Sequence, residues 1–275
     1  MNEVAYNIPT SQVGAYKGHA LIVRSRDPLE WLQALPDDTL ADVPYLQLHS
    51  LSADLEPLLH WGEGVPIELV VQDPTAEFPL LYACTKLLDR HPVRVSIPLR
   101  PGFGQAVKLA VSLQFGVQLR VTQPDSIPID ELNQILNFYL HHATASQPID
   151  FIHSLFFAFH GEEPVTLWEI QEEDPALFRC VDDQGKEHLP GRLAQMEFGG
   201  NKARFLDEFK TVVLAQESEC SGCPFFRNCA GYFKWPDPDY RCDGVKSLFR
   251  LLQHAAAELK KDLEQYQKMN EGEHP

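Results

Sequence analysis

The chain has 275 residues, 39 acidic and 23 basic, and a formal net charge of −16, which argues against a general nucleic-acid or anionic-membrane binder, since either needs a basic face. Its hydrophobic fraction of 44% is that of a globular protein, and no apolar run approaches the roughly 18 residues of a membrane span. Met1 to Thr10 has neither a basic start nor an apolar core, so no signal peptide is expected and a cytoplasmic, reducing compartment follows.

Residues 1–18 lack periodicity and read as a loose N-terminal arm. From Ala20 strands and helices alternate. Strands are expected at Ala20–Arg24, Tyr45–His49, Ile67–Gln72, Val93–Ile97 and Val117–Val121, with a sixth candidate at Phe151–Phe159. Helices are expected at Pro28–Leu35, Ala53–His60, Phe78–Asp89, Gln105–Gln114 and Ile129–His142, separated by Pro, Gly and Asp turn signals. Strand starts about 25 residues apart call for a parallel sheet with crossover helices. The fold class expected is α/β, a partial parallel (β/α) barrel over 19–160. In the next segment, 161–243, Thr166–Ile170 and Leu177–Val181 read as small antiparallel strands and Phe205–Ala215 as a helix. Asp243 suits the N-cap of a long final helix within 244–275. Its Val245, Leu248, Leu252, Ala255, Leu259, Leu263 and Tyr266 form one apolar stripe, expected to pack on its own domain, and Asn270–Pro275 reads as a frayed tail.

Ligands of parallel α/β folds gather at the C-terminal ends of strands. Those ends carry Arg24, His49, Gln72, Asp73, Arg100 and Gln123. His49 with Asp73 is a candidate acid–base pair, against the plainer reading of two polar loop starts. Gly102-Phe103-Gly104 is a fragment of a phosphate loop without its third glycine, and reads as a turn. His141-His142 suits a helix end rather than a metal. Glu162-Glu163 and Glu172-Glu173-Asp174 read as solvated acidic loops, Gly199-Gly200 as a loop, and Cys84 as a core side chain.

Four of the six cysteines fall between Cys220 and Cys242, spaced C-x2-C-x5-C-x12-C as Cys220, Cys223, Cys229 and Cys242. Four thiolates on one short stretch can enclose one metal centre, and soft sulfur ligands select zinc or an iron–sulfur cluster. Structural zinc sites usually pair two short knuckles. Here one knuckle precedes a five-residue gap and a distant single cysteine, with Phe225 and Phe226 in the gap, so a [4Fe–4S] cluster is favoured over zinc. Phe225, Phe226, Tyr232 and Trp235 are expected to shield it.

Glu219 to Tyr232, ECSGCPFFRNCAGY, resembles the SPASM segment, the auxiliary-cluster domain at the C-terminal end of many radical S-adenosylmethionine enzymes. Cys220, Cys223, Cys229 and Cys242 match the set that holds the family's outer auxiliary cluster. The position of the inner-cluster cysteine is Phe233 here. Upstream, Phe178 to Lys186 resembles the family's preceding hairpin, but His188-Leu189-Pro190-Gly191 lacks the cysteine that usually follows it. The resemblance covers about a quarter of the chain, from Leu177 to Cys242. It implies a six-unit partial barrel ahead of the cysteines. The family's C-x3-C-x2-C is missing, because the first expected strand is followed by Ser25-Arg26-Asp27-Pro28-Leu29-Glu30-Trp31. His49-Ser50-Leu51-Ser52 stands where the family has Gly-Gly-Glu. The resemblance therefore implies a degenerate member that does not use S-adenosylmethionine. Such a protein would carry one cluster and assist, beside a catalytic partner, in modifying a peptide or protein. The rival expectation is an enzyme with a different reaction at the barrel mouth and a structural metal centre.

Overall fold

The computed structural model describes residues 4–124, 126–142, 145–161, 165–196, 200–215 and 218–271. Its strands are β1 (Ala5–Pro9), β2 (Ala20–Ser25), β3 (Tyr45–Leu48), β4 (Ile67–Val70), β5 (Val93–Pro98), β6 (Gly116–Arg120), β7 (Phe178–Val181) and β8 (Glu187–His188). Its helices are α1 (Pro28–Ala34), α2 (Pro74–Glu77), α3 (Leu81–Cys84), α4 (Phe103–Ser112), α5 (Ser126–His141), α6 (Asp150–His160), α7 (Leu167–Ile170), α8 (Phe205–Ala215), α9 (Phe226–Cys229) and α10 (Asp243–Glu271). The strands make one sheet in the order β6-β5-β4-β3-β2-β1-β7-β8, parallel throughout except for the β7–β8 pair. The fold is thus α/β with a mostly parallel eight-stranded sheet and a long C-terminal helix. No helix among the described residues is long and apolar enough to cross a membrane.

The five expected strands all form, and two further parallel strands, β1 and β7, extend the run. The expected arm at 1–18 contains β1, which lies inside the sheet between β2 and β7. Its alternation is real, with Ile8 fully buried on one face and Asn7 on the other. Five residues ending in a proline show that period too briefly to be read. Phe151–Phe159, the sixth-strand candidate, is the helix α6. Phe151, Ile152 and Leu155 bury at helical spacing, and Asp150 sits in the first turn, where the dipole favours it.

Thr166–Ile170 is likewise a helix, α7, not a strand. Thr166 accepts from the Glu169 N–H while Glu169 reaches back to the Thr166 N–H, a capping box that T-x-x-E announces in sequence. A hairpin forms from β7 and β8, its second strand lying just beyond the expected Phe178–Lys186, and β7 also pairs parallel with β1, so the sheet runs across the expected boundary at 160. The Ala53–His60 helix shrinks to a 3-10 turn at Glu56–Leu59. The Phe78–Asp89 helix breaks into α3 flanked by 3-10 turns, since Pro79 offers no N–H to continue a ladder.

The two faces of the sheet differ in kind. One face carries Leu21, Val23, Leu46, Leu48, Ile67, Leu69, Val95, Ile97, Val117 and Leu119, none more than 2% exposed. Together with Trp31, Phe103, Val107, Ile135 and Phe151 of the crossover helices it forms the core. Cys84 is fully buried in that core, as expected. The register places Arg24 beside Gln47, Gln47 beside Glu68, and Glu68 beside Arg94 on the opposite, polar face. That face is covered by the chain after α7. Gln171 pairs through its amide with Val121 N–H and Leu119 C=O, and Gln118 donates to Ile170 C=O.

The last helix splits the expected apolar stripe. Val245, Leu248 and Leu252 are buried, and α10 packs on α6 and α5. Leu259, Leu263 and Tyr266 are exposed, so the stripe is covered only in its first half. Glu162-Glu163, Gly199 and residues 272–275 of the expected tail lie outside the described residues.

Candidate metal centre

The cysteine segment is docked onto the C-terminal end of β6. Tyr232 donates through its hydroxyl to Val121 C=O at 2.8 Å, Gln123 donates to the Phe233 and Asp237 carbonyls, and Tyr240 donates to Pro124 C=O. A second clamp comes from Arg192, which pairs with Glu173 at 2.9 Å, donates to the Trp235 and Tyr232 carbonyls, and lies 4.0 Å from the Tyr232 ring centre. Gly191 precedes it with φ +53°, and a Cβ there would meet Glu173 at 2.2 Å, so glycine is required where the clamp closes. Trp168 of α7 fixes the far side, donating to Ala230 C=O.

Within this frame Cys223 N–H bonds to Cys220 C=O in a tight turn, and α9 carries Cys229 at its end. Ala230 and Gly231 then take left-handed conformations that reverse the chain. Cys242 immediately precedes α10, whose amino end favours a thiolate. All four cysteines line one small cavity of about 20 Å³, walled by Phe225, Phe226, Phe233 and Phe249. Of the expected shields, Phe225 and Phe226 take that role. Tyr232 and Trp235 do not line the cavity, and Phe233 and Phe249 replace them.

None of the six cysteines is paired in a disulfide. Burial pushes the Cys229 thiol up to about 11, and raises Cys220 and Cys242 also. Lys234 opposes that trend at Cys220 and Cys242, while Glu219 adds to it. Lys234 and Lys246 both bind Glu219, which also accepts the Cys242 N–H at 3.0 Å. Burial would raise the Glu219 carboxyl, but hydrogen bonds from Lys246, Cys242 N–H and Lys234 hold it at about 2. Two cations beside one carboxylate leave a positive excess next to the thiols. The donor set and this charge fit a thiolate-bound centre. Among the described residues no group of three or more His, Cys, Asp or Glu side chains is already converged on a single-ion site.

The other expected site residues are occupied separately. His49 bonds to Gln47 at 3.0 Å, while Asp73 caps α2 through Thr75 and Ala76 N–H, so the pair does not form. Gly102 is the left-handed cap of α4, a turn as expected. His141 ends α5, and His142 stacks near Phe138.

The sequence reading missed a second cavity of about 640 Å³ on the polar face of the sheet. Glu172, expected in a solvated loop, turns inward beside it. It bonds to Tyr45 at 2.7 Å, Arg94 at 2.7 Å and Arg120 at 3.0 Å. Fully buried Glu68 bonds to the same two arginines and to Gln47. Period-two polar residues at Gln47, Glu68, Arg94 and Arg120, inside otherwise aliphatic strands, were the available signal. Comparison of the chain with protein-family models, curated proteins and solved structures finds no match.

Proposed function

We propose that this protein is an accessory iron–sulfur protein, with one [4Fe–4S] cluster held by Cys220, Cys223, Cys229 and Cys242. On this reading it is a degenerate relative of the radical S-adenosylmethionine enzymes, with a partial-barrel sheet and a SPASM-like cysteine segment. It assists a catalytic partner in modifying a peptide or protein, by passing electrons or holding substrate. The observation that carries the reading is the meeting of all four cysteines of one short stretch around one aromatic-walled cavity beside Lys234 and Lys246. A resident cluster would supply one-electron chemistry. This chain's residues would ligate it, exclude water through Phe225, Phe226, Phe233 and Phe249, and offset its negative charge through the lysines. Binding would complete the convergence of the thiols, since ligation and local folding are coupled. A carrier cluster is expected to reduce reversibly without iron loss, giving the spectrum of a one-electron-reduced state. A cluster inert to strong reductants, whose removal unfolds the segment, would leave only a structural role.

The catalytic signature is missing whether β2 or β1 is taken as the first strand of the run. The loop after β1 reads Thr10-Ser11-Gln12-Val13-Gly14-Ala15, again without cysteine. The reduced protein alone is therefore expected not to cleave S-adenosylmethionine. Multiple turnovers to 5′-deoxyadenosine would overturn the accessory reading. The second reading, an enzyme at the mouth of the sheet with a structural metal, is favoured by the 640 Å³ cavity on the polar face of the sheet.

A further inference from the structure

We propose that the cavity on the polar face of the sheet binds a small organic anion, a carboxylate or phosphate ester, held by Arg24 and Arg100 beside the thiol of Cys180. The inference is independent of any metal at the four clustered cysteines. The volume of about 640 Å³ is that of a small-molecule site. The acids lining it are already engaged: Glu172 with Arg94 and Arg120, Glu173 with Arg192, and Asp182 with His188 at 2.9 Å. Arg24 and Arg100 also line it, and neither has a carboxylate partner among the described residues. In a chain of net charge −16, three arginines without a salt-bridge partner among the described residues in one cavity, Arg24, Arg100 and the buried Arg179, are the unexpected feature.

Arg24 is also prepared for a ligand. Nη1 donates to the Asn7 backbone and side-chain oxygens at 2.9 Å each, and Nη2 donates to Val181 C=O. That leaves Nε–H and one Nη2–H without an acceptor among the described residues. Asn7 is fixed by Gln47 at 3.1 Å, and Gln47 by Glu68 at 2.9 Å, so the guanidinium is oriented before a ligand arrives. Free guanidinium N–H groups suit a carboxylate or phosphate. Arg100, bonded only to Gln72 C=O at 3.2 Å, adds a second charge from beyond β5. Ile22, Val70 and Phe178 line the remainder, which favours an organic body over a bare ion. Arg24 reaches from Asn7 to Val181, and Cys180 is the β7 register partner of Asn7, so the thiol lies beside the proposed anion.

Cys180 reports on the site. Cys84 is fully buried, so in protein as purified the partly exposed Cys180 is the thiol outside the clustered set that a reagent reaches. Alkylation by iodoacetate and by iodoacetamide is compared at fixed ionic strength, with glutathione as the reference thiol and peptide mass locating the label. The expected result is an iodoacetate-to-iodoacetamide rate ratio at Cys180 roughly tenfold above that of glutathione. Succinate or inorganic phosphate should protect Cys180 saturably, and whichever protects names the head group. Arg24→Met should return the ratio to the glutathione value, and Arg100→Met should lower it. If Arg24→Met does not fold, Arg100→Met and wild-type protection by succinate or phosphate decide. A ratio equal to that of glutathione without protection overturns the proposal. So does a Cys180 that neither reagent reaches, because a cavity that admits an organic acid admits iodoacetate.

Discussion

Anaerobically purified protein is expected to be brown and to contain about four iron and four sulfide per chain, and Cys229→Ala is expected to lose most of both. Cys229 is the proposed ligand whose loss should matter most to the local fold. It ends α9 and is followed by the left-handed pair Ala230 and Gly231, which reverse the chain. Because metal binding and local folding are coupled, the 218–246 segment should become sensitive to proteolysis in the variant while the sheet stays folded. Cys84→Ala is the control. Its thiol lies in the aliphatic core, 3.6 Å from Leu80 C=O, and its replacement should leave iron content unchanged. Stoichiometric zinc without visible absorbance would replace the cluster with a structural zinc site. Iron loss in Cys84→Ala would reject the ligand assignment.

The aliphatic strands were legible because their apolar residues sit between clear turn signals, and five of them form where expected. The cysteine cavity was legible for a different reason: C-x2-C-x5-C fixes a turn and a short helix, and local spacing is what a sequence displays. Cys242 is the exception. It arrives through contacts made by Gln123, Tyr240 and Glu219, which no spacing encodes. The unread parts share a cause. β1 is short and gains its place from neighbours on both sides, one of them more than 170 residues distant. Glu172 reads as solvated in sequence, and only the return of the chain after α7 across the polar face brings it to Arg94 and Arg120. The α7 helix was the avoidable miss, since its capping box is written in Thr166 and Glu169.

The buried charge network should dominate stability. Glu68→Gln is expected to destabilise the fold by about 3–5 kcal/mol, because it leaves Arg94 and Arg120 facing Glu172 with half their compensation. The same network sets an acid limit. Burial would raise the Glu172 carboxyl, but Arg120 and Arg94, with hydrogen bonds from Tyr45 and Arg94, outweigh it and hold the group at about 2, down from 4.5. A carboxyl depressed on folding contributes stability that is complete above its unfolded value and is lost as pH falls toward its folded one. From neutral pH to about pH 3, Glu172 should therefore cost the fold roughly 2 kcal/mol. Asp150, raised by burial against the pull of Arg94, works in the opposite sense and at higher pH. The measurement is urea unfolding across that range for wild type and Glu172→Gln. Loss of the proposed metal centre in acid would be common to both proteins and cancel in their difference. The wild-type advantage should be largest near neutrality and shrink as pH falls; parallel curves would show that Glu172 is not held ionised by the two arginines.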